Sequence, residues 1–112
     1  MAGGIIFGIA AVAAVVFLVA RKKETVSAVL SYDEVMKYFI AHKNDNPAIV
    51  KGALLKEAVG GYLLLTQTFL DKNDQPVFAD SKGKSLGCKR KVKRLDNELL
   101  TLFKDANMIV VE

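Results

Sequence analysis

PAIVKGALLKEAVGGYLLLTQTFL, residues 47–70, decides the fold, because its first half reads two ways. For a helix over 47–59, Asn46 suits the N-cap, Pro47 the first helical position, and Gly60 a left-handed stop. The polar pairs Lys51-Gly52 and Lys56-Glu57 also recur with apolar residues between them. For a strand, Gly52 weakens a helix interior by about 1 kcal/mol. Gly60-Gly61 would then make a tight hairpin turn into a strand starting at Tyr62. The balance favours a helix. The second half is not ambiguous. Residues 62–70 are rich in β-formers, with Gly-Gly before them and Asp71-Lys72-Asn73-Asp74 after, and read as a strand.

Upstream of this stretch, Ser31 and Glu34 form an S-x-x-E capping box. Val35, Met36, Phe39 and Ile40 recur at helical spacing, which predicts a helix over residues 32–43, broken by Asn44-Asp45-Asn46. Residues 24–30 read as a connector with no strong signal. Downstream, residues 77–79 read as the return arm of a hairpin, with Pro76 near its start, and 81–85 as a polar loop. Residues 86–95 alternate between two faces like a strand. Asp96 can cap a helix running to about residue 105, and residues 108–111 are a short β-branched run. Residues 31–112 are therefore expected to form one small α+β domain with a mixed helix and antiparallel-sheet arrangement.

Residues 3–20 carry no charged and no polar side chain. As a helix, this run is about 27 Å long, close to the hydrocarbon thickness of a bilayer. Arg21, Lys22 and Lys23 follow at once, a stop-transfer pattern rather than a cleavage site. Residues 1–23 are accordingly expected to be a single transmembrane anchor with a basic flank. The cations on its C-terminal side would place the N-terminus outside and the domain in the cytoplasm. Gly4, Gly8 and Ala11 make a shallow strip, with Gly4 and Gly8 at small-xxx-small spacing. That strip is a candidate for helix packing, either with itself or with another membrane subunit, and a plain lipid-facing anchor is the competing reading.

Chemistry-bearing residues are sparse in this sequence. The single cysteine, Cys88, cannot form an internal disulfide. Lys89 and Arg90 beside it can lower a thiol pKa, but such a residue is more often a small apolar filler in a strand. The single histidine, His42, falls at a helix C-terminus, where a cation is electrostatically favoured. One Cys and one His do not make a zinc site of the usual kinds. Asp71, Asn73 and Asp74 begin like a calcium loop, but position six is Pro76 and position twelve is Lys82, so a turn is expected there. The glycine-rich phosphate loop is missing too. Neither a catalytic constellation nor a cofactor is expected.

Charge is the most informative feature. Seven cations and no acid fall within residues 82–94: Lys82, Lys84, Lys89, Arg90, Lys91, Lys93 and Arg94. The rest of the chain has nine cations against twelve acids, so the net charge of +4 hides a strong asymmetry. As a strand, this segment puts Lys89, Lys91 and Lys93 on one face and Cys88, Arg90, Val92 and Arg94 on the other. Cations on both faces suit an edge strand, where lysine blocks unwanted pairing. They also suit contact with an anionic surface, either acidic protein or anionic lipid. The expectation is thus a non-enzymatic single-pass membrane subunit or adaptor, whose partners are the bilayer and other membrane subunits. The alternative is a membrane-tethered nucleic-acid-binding module. Its support is that helix–turn–helix followed by a hairpin loosely resembles a winged helix, although the would-be recognition helix carries only Lys51 and Lys56 as cations.

Overall fold

The computed structural model describes residues 24–111. Strand β1 (Glu24–Leu30) leads into helix α1 (Tyr32–His42), followed by β2 (Lys51–Val59) and β3 (Tyr62–Leu70). A short β4 (Pro76–Val77), β5 (Cys88–Leu95), helix α2 (Asn97–Phe103) and β6 (Met108–Val111) complete the order. Six strands form one sheet in the order β1-β5-β3-β2-β6, with β4 pairing to the end of β3. All its pairings are antiparallel except β1 with β5, which is parallel.

The architecture expected from the sequence needs correction at three points. The domain is sheet-dominated and its sheet is mixed, because the residues read as a connector form β1 and pair Val26 with Lys91 and Ser27 with Val92. Residues 51–59 are a strand, not a helix. Among the described residues, no helix is long and apolar enough to cross a membrane. The eleven residues of α1 span about 16 Å, roughly half a hydrocarbon core. That finding overturns the single-pass architecture, and with it the N-out placement and the cytoplasmic assignment. The run 3–20 behind that expectation, with Gly4, Gly8, Ala11 and the flank Arg21, Lys22 and Lys23, lies outside the described residues.

The helix expected at 47–59 fails for a physical reason. β2 is an interior strand with both faces covered, Leu54 by the core under the helices and Ala53 and Leu55 by the cluster with Leu70, Phe78 and Met108, so Gly52, Ala53, Leu54 and Leu55 are buried in succession. A strand buried on both faces loses the alternation that would mark it. Gly60 (φ 54°) and Gly61 (φ 83°) then make the two-residue turn, with both residues in the left-handed region glycine favours. Gly52 has a separate role. A Cβ there would lie 2.8 Å from Cδ1 of Phe39, so the absent side chain lets α1 pack onto β2.

Both helices pack on one face of the sheet. Val35 of α1 and Leu99 and Phe103 of α2 share a core with Leu54, Leu65, Val92 and Ile109. Phe39 continues this core with Phe69, Leu86 and Val111. The helix starts are tied together by one side chain. Ser31 caps α1, accepting from the N–H of Glu34 at 3.1 Å. Asp96 caps α2, its Oδ1 accepting from the N–H of Leu99 at 2.9 Å. Its Oδ2 accepts from the N–H of Tyr32, also at 2.9 Å, and so serves the first turn of α1 as well. The main-chain N–H of Asp96 donates to Leu30, which fixes β1 to the same junction. On the opposite face a smaller cluster forms from Ala53, Leu55 and Leu70 with Phe78 and Met108.

Candidate functional site

The basic segment divides between a loop and a strand. Lys82 and Lys84 are exposed on the loop before β5. Asp80 shapes that loop by accepting the main-chain N–H groups of Lys82 and Lys84 at 2.9 and 2.8 Å. The other five cations are on β5, which lies between β1 and β3. The edge position expected for this strand is therefore incorrect.

An interior strand tolerates these cations because each has a separate solution. Lys89, Lys91 and Lys93 share one face, as the alternation predicts, and the register sets Lys91 beside Leu64 and Lys89 beside Thr66. Lys89 is nearly buried. Lys91 places Nζ 4.6 Å from the ring centre of Tyr62, a cation–π contact. On the helix face, Arg90 donates from Nη1 to Oε1 of Gln67 at 2.7 Å, and its guanidinium lies 5.5 Å from the Tyr38 ring centre. Gln67 is itself buried and donates from Nε2 to the main-chain carbonyl of Val35 at 2.9 Å. This network spends Arg90 on joining α1 to the sheet, so it is a structural cation rather than a contact residue. Tyr38 belongs to the same junction, where its hydroxyl accepts from the N–H of Gly87 at 3.0 Å. Burial is the main cause that pushes its pKa up to about 12.

Lys93 and Arg94 differ from the rest because both are exposed. They precede Leu95 at the end of β5, where the alternation of a strand turns them to opposite faces. Arg94 stands beside Val29 of β1 in the register. Next to them is a shallow hollow of about 490 Å³, lined by Val29, Leu63, Asn97 and Leu100 among others. Leu100 is 52% exposed, which leaves an apolar side chain at the rim of a cationic patch. Nothing in the sequence marks these lining residues, since they arrive from β1, β3 and α2 and meet only through the strand order. A second hollow, of about 300 Å³, lies between Leu55, Glu57, Leu64, Thr66 and Met108 on the other face.

The remaining candidates resolve into structural roles. His42 pairs through Nδ1 with Asp45 Oδ2 at 2.8 Å and lies against Tyr38, with ring centres 4.6 Å apart. Ser81 is near this pair, but its hydroxyl donates to the main-chain carbonyl of Asp45 at 3.1 Å, so the three do not form a nucleophile–base–acid relay. Asp71 closes the β3–β4 turn, accepting from the N–H groups of Asn73 and Gln75 at 2.8 and 3.0 Å. Cys88 is half-buried at the start of β5. The winged-helix order also disappears, because its second helix is β2.

Neither a family model, nor a curated protein, nor a solved structure matches this chain.

Proposed function

We propose that this domain is a non-enzymatic interaction module that binds an acidic segment of a partner protein at the end of β5. The observation that carries this reading is the exposed Lys93–Arg94 pair beside the hollow rimmed by Leu100. Two adjacent cations with an apolar neighbour suit a carboxylate-bearing segment that also has apolar residues. Charge alone gives little at an exposed site, and contact with Leu100 and Val29 adds burial to it. Arg90 and Lys91 already have partners within the domain, and Lys89 is nearly buried. The pair at residues 93 and 94 is thus the part of the strand best placed to meet something else.

The test uses the full-length chain with three ligands: an acidic peptide, anionic vesicles and a single-stranded oligonucleotide. Peptide binding should weaken as salt rises, and should fall roughly three- to tenfold when Lys93 and Arg94 are both changed to Gln. Tighter binding of the oligonucleotide with a steep salt slope would instead make this a nucleic-acid-binding module. Preference for vesicles would make the ligand a lipid headgroup. If none of the three ligands binds, the acidic-partner reading is wrong.

A further inference from the structure

The sheet has two edges, and they differ in kind. β6 is a four-residue edge whose last three side chains are buried. β1 is a seven-residue edge, and among the described residues nothing pairs with its outer side. Exposed edges are ordinarily guarded by lysine, proline or a bulge. ETVSAVL contains neither lysine nor proline, and its pairing with β5 runs in one continuous register from Glu24 to Leu30. Val26 is 71% exposed, and Ser27 and Ala28 are also exposed. The lysines that would guard such an edge lie one strand inward, on β5.

From this the geometry points to strand addition. The acidic partner segment binds in extended form along the outer edge of β1, and its carboxylates reach across β1 to Lys93 and Arg94. This rests on the acidic-partner reading above and specifies how that partner is held. The register decides the chemistry. Ser27 pairs with Val92 and Val29 with Arg94, which sets Ala28 beside Lys93. An added strand would lie two strand spacings from β5, about 10 Å. Ala28 is too short to obstruct a lysine and a carboxylate that meet above it. Successive residues of a strand point to opposite faces. Two adjacent acidic residues opposite Ala28 and Val29 would therefore send one carboxylate toward Lys93 and the next toward Arg94. A second copy of β1 would fit the edge less well, because it supplies Glu24 as its one acid.

The experiment uses the full-length chain and two capped eight-residue peptides. Both carry two central glutamates flanked by alternating threonine and valine, and one is N-methylated at alternate positions. Methylation removes main-chain donors while leaving the charge unchanged. Strand addition predicts that the plain peptide binds and slows amide exchange at Ser27 and Val29, whose main-chain groups face away from β5, since the Leu30 carbonyl accepts from Asp96 and successive residues alternate. The methylated peptide should bind roughly tenfold more weakly or worse, since each lost main-chain hydrogen bond compounds the next. Lys93→Gln with Arg94→Gln should weaken the plain peptide. Equal binding of both peptides would overturn strand addition and leave the charge contact standing. Binding of neither peptide would overturn both readings. A chain that is already dimeric, with these amides protected before any peptide is added, would overturn the proposal in favour of self-pairing.

Discussion

Changing Asp96 to Ala should destabilise this domain more than any other single change at a helix start. Its two carboxylate oxygens accept from the N–H groups of Leu99 and Tyr32, each at 2.9 Å and partly buried. Losing the cap on α2 costs about 1 kcal/mol. Leaving the Tyr32 donor partly buried without an acceptor costs about 1–2 kcal/mol more. The main-chain bond from Asp96 to Leu30 survives the substitution, so the combined loss should be about 2–3 kcal/mol. With a urea slope of about 1.5 kcal/mol per molar, the unfolding midpoint falls by roughly 1.3–2 M. Asp96→Asn separates geometry from charge. Asparagine caps well and keeps one oxygen for Leu99, but its NH₂ would face the Tyr32 N–H, so about half the loss should remain. Urea unfolding of the three proteins, followed by circular dichroism, reads these differences. An Ala variant within about 0.5 kcal/mol of the parent, at the noise of surface substitutions, would refute the double-cap argument. An Asn variant as unstable as Ala would show that the carboxylate charge, rather than the placement of its two acceptors, holds the junction.

Gly52→Ala should cost about 1–3 kcal/mol by overpacking, because the added Cβ meets the Phe39 ring at 2.8 Å. Phe39→Leu in the same chain should recover part of that loss in a thermal melt, and additive losses would argue against the contact. Arg90→Ala should cost about 1–3 kcal/mol by leaving Oε1 of the buried Gln67 without its donor. Arg90→Ala with Gln67→Leu should cost less than the sum of the two single changes, as read by a double-mutant cycle in urea. Tyr38 should ionise near pH 12 in an ultraviolet titration, identified by its loss in Tyr38→Phe. Its folded pKa lies above the unfolded value of 10.0, so its contribution to stability is intact below pH 10 and is lost as pH rises toward 12. A stability that is flat over that window, after subtraction of the Phe variant, would contradict this.

Local signals in the sequence were sufficient wherever a residue acts on its own neighbours. Ser31 caps α1, Asp96 caps α2, and β3 lies where β-formers stand between turn residues. The shared face of Lys89, Lys91 and Lys93 followed from the two-residue period of a strand. Tertiary structure decided whatever depends on the second neighbour of a strand. β1 had no pattern of its own and became a strand because β5 offered it a parallel edge. β2 lost its alternation because apolar clusters cover both faces of the sheet there, which made its apolar run look helical. β5 carries cations on both faces yet lies inside the sheet, because Gln67, Tyr38 and Tyr62 receive the side chains of Arg90 and Lys91. Those partners lie more than twenty residues away along the chain, so no local window contains them. A still longer stretch of chain separates Lys93 and Arg94 from the edge of β1. A contiguous run of charge is legible in sequence, whereas the strand placed beside it is fixed only when the sheet closes.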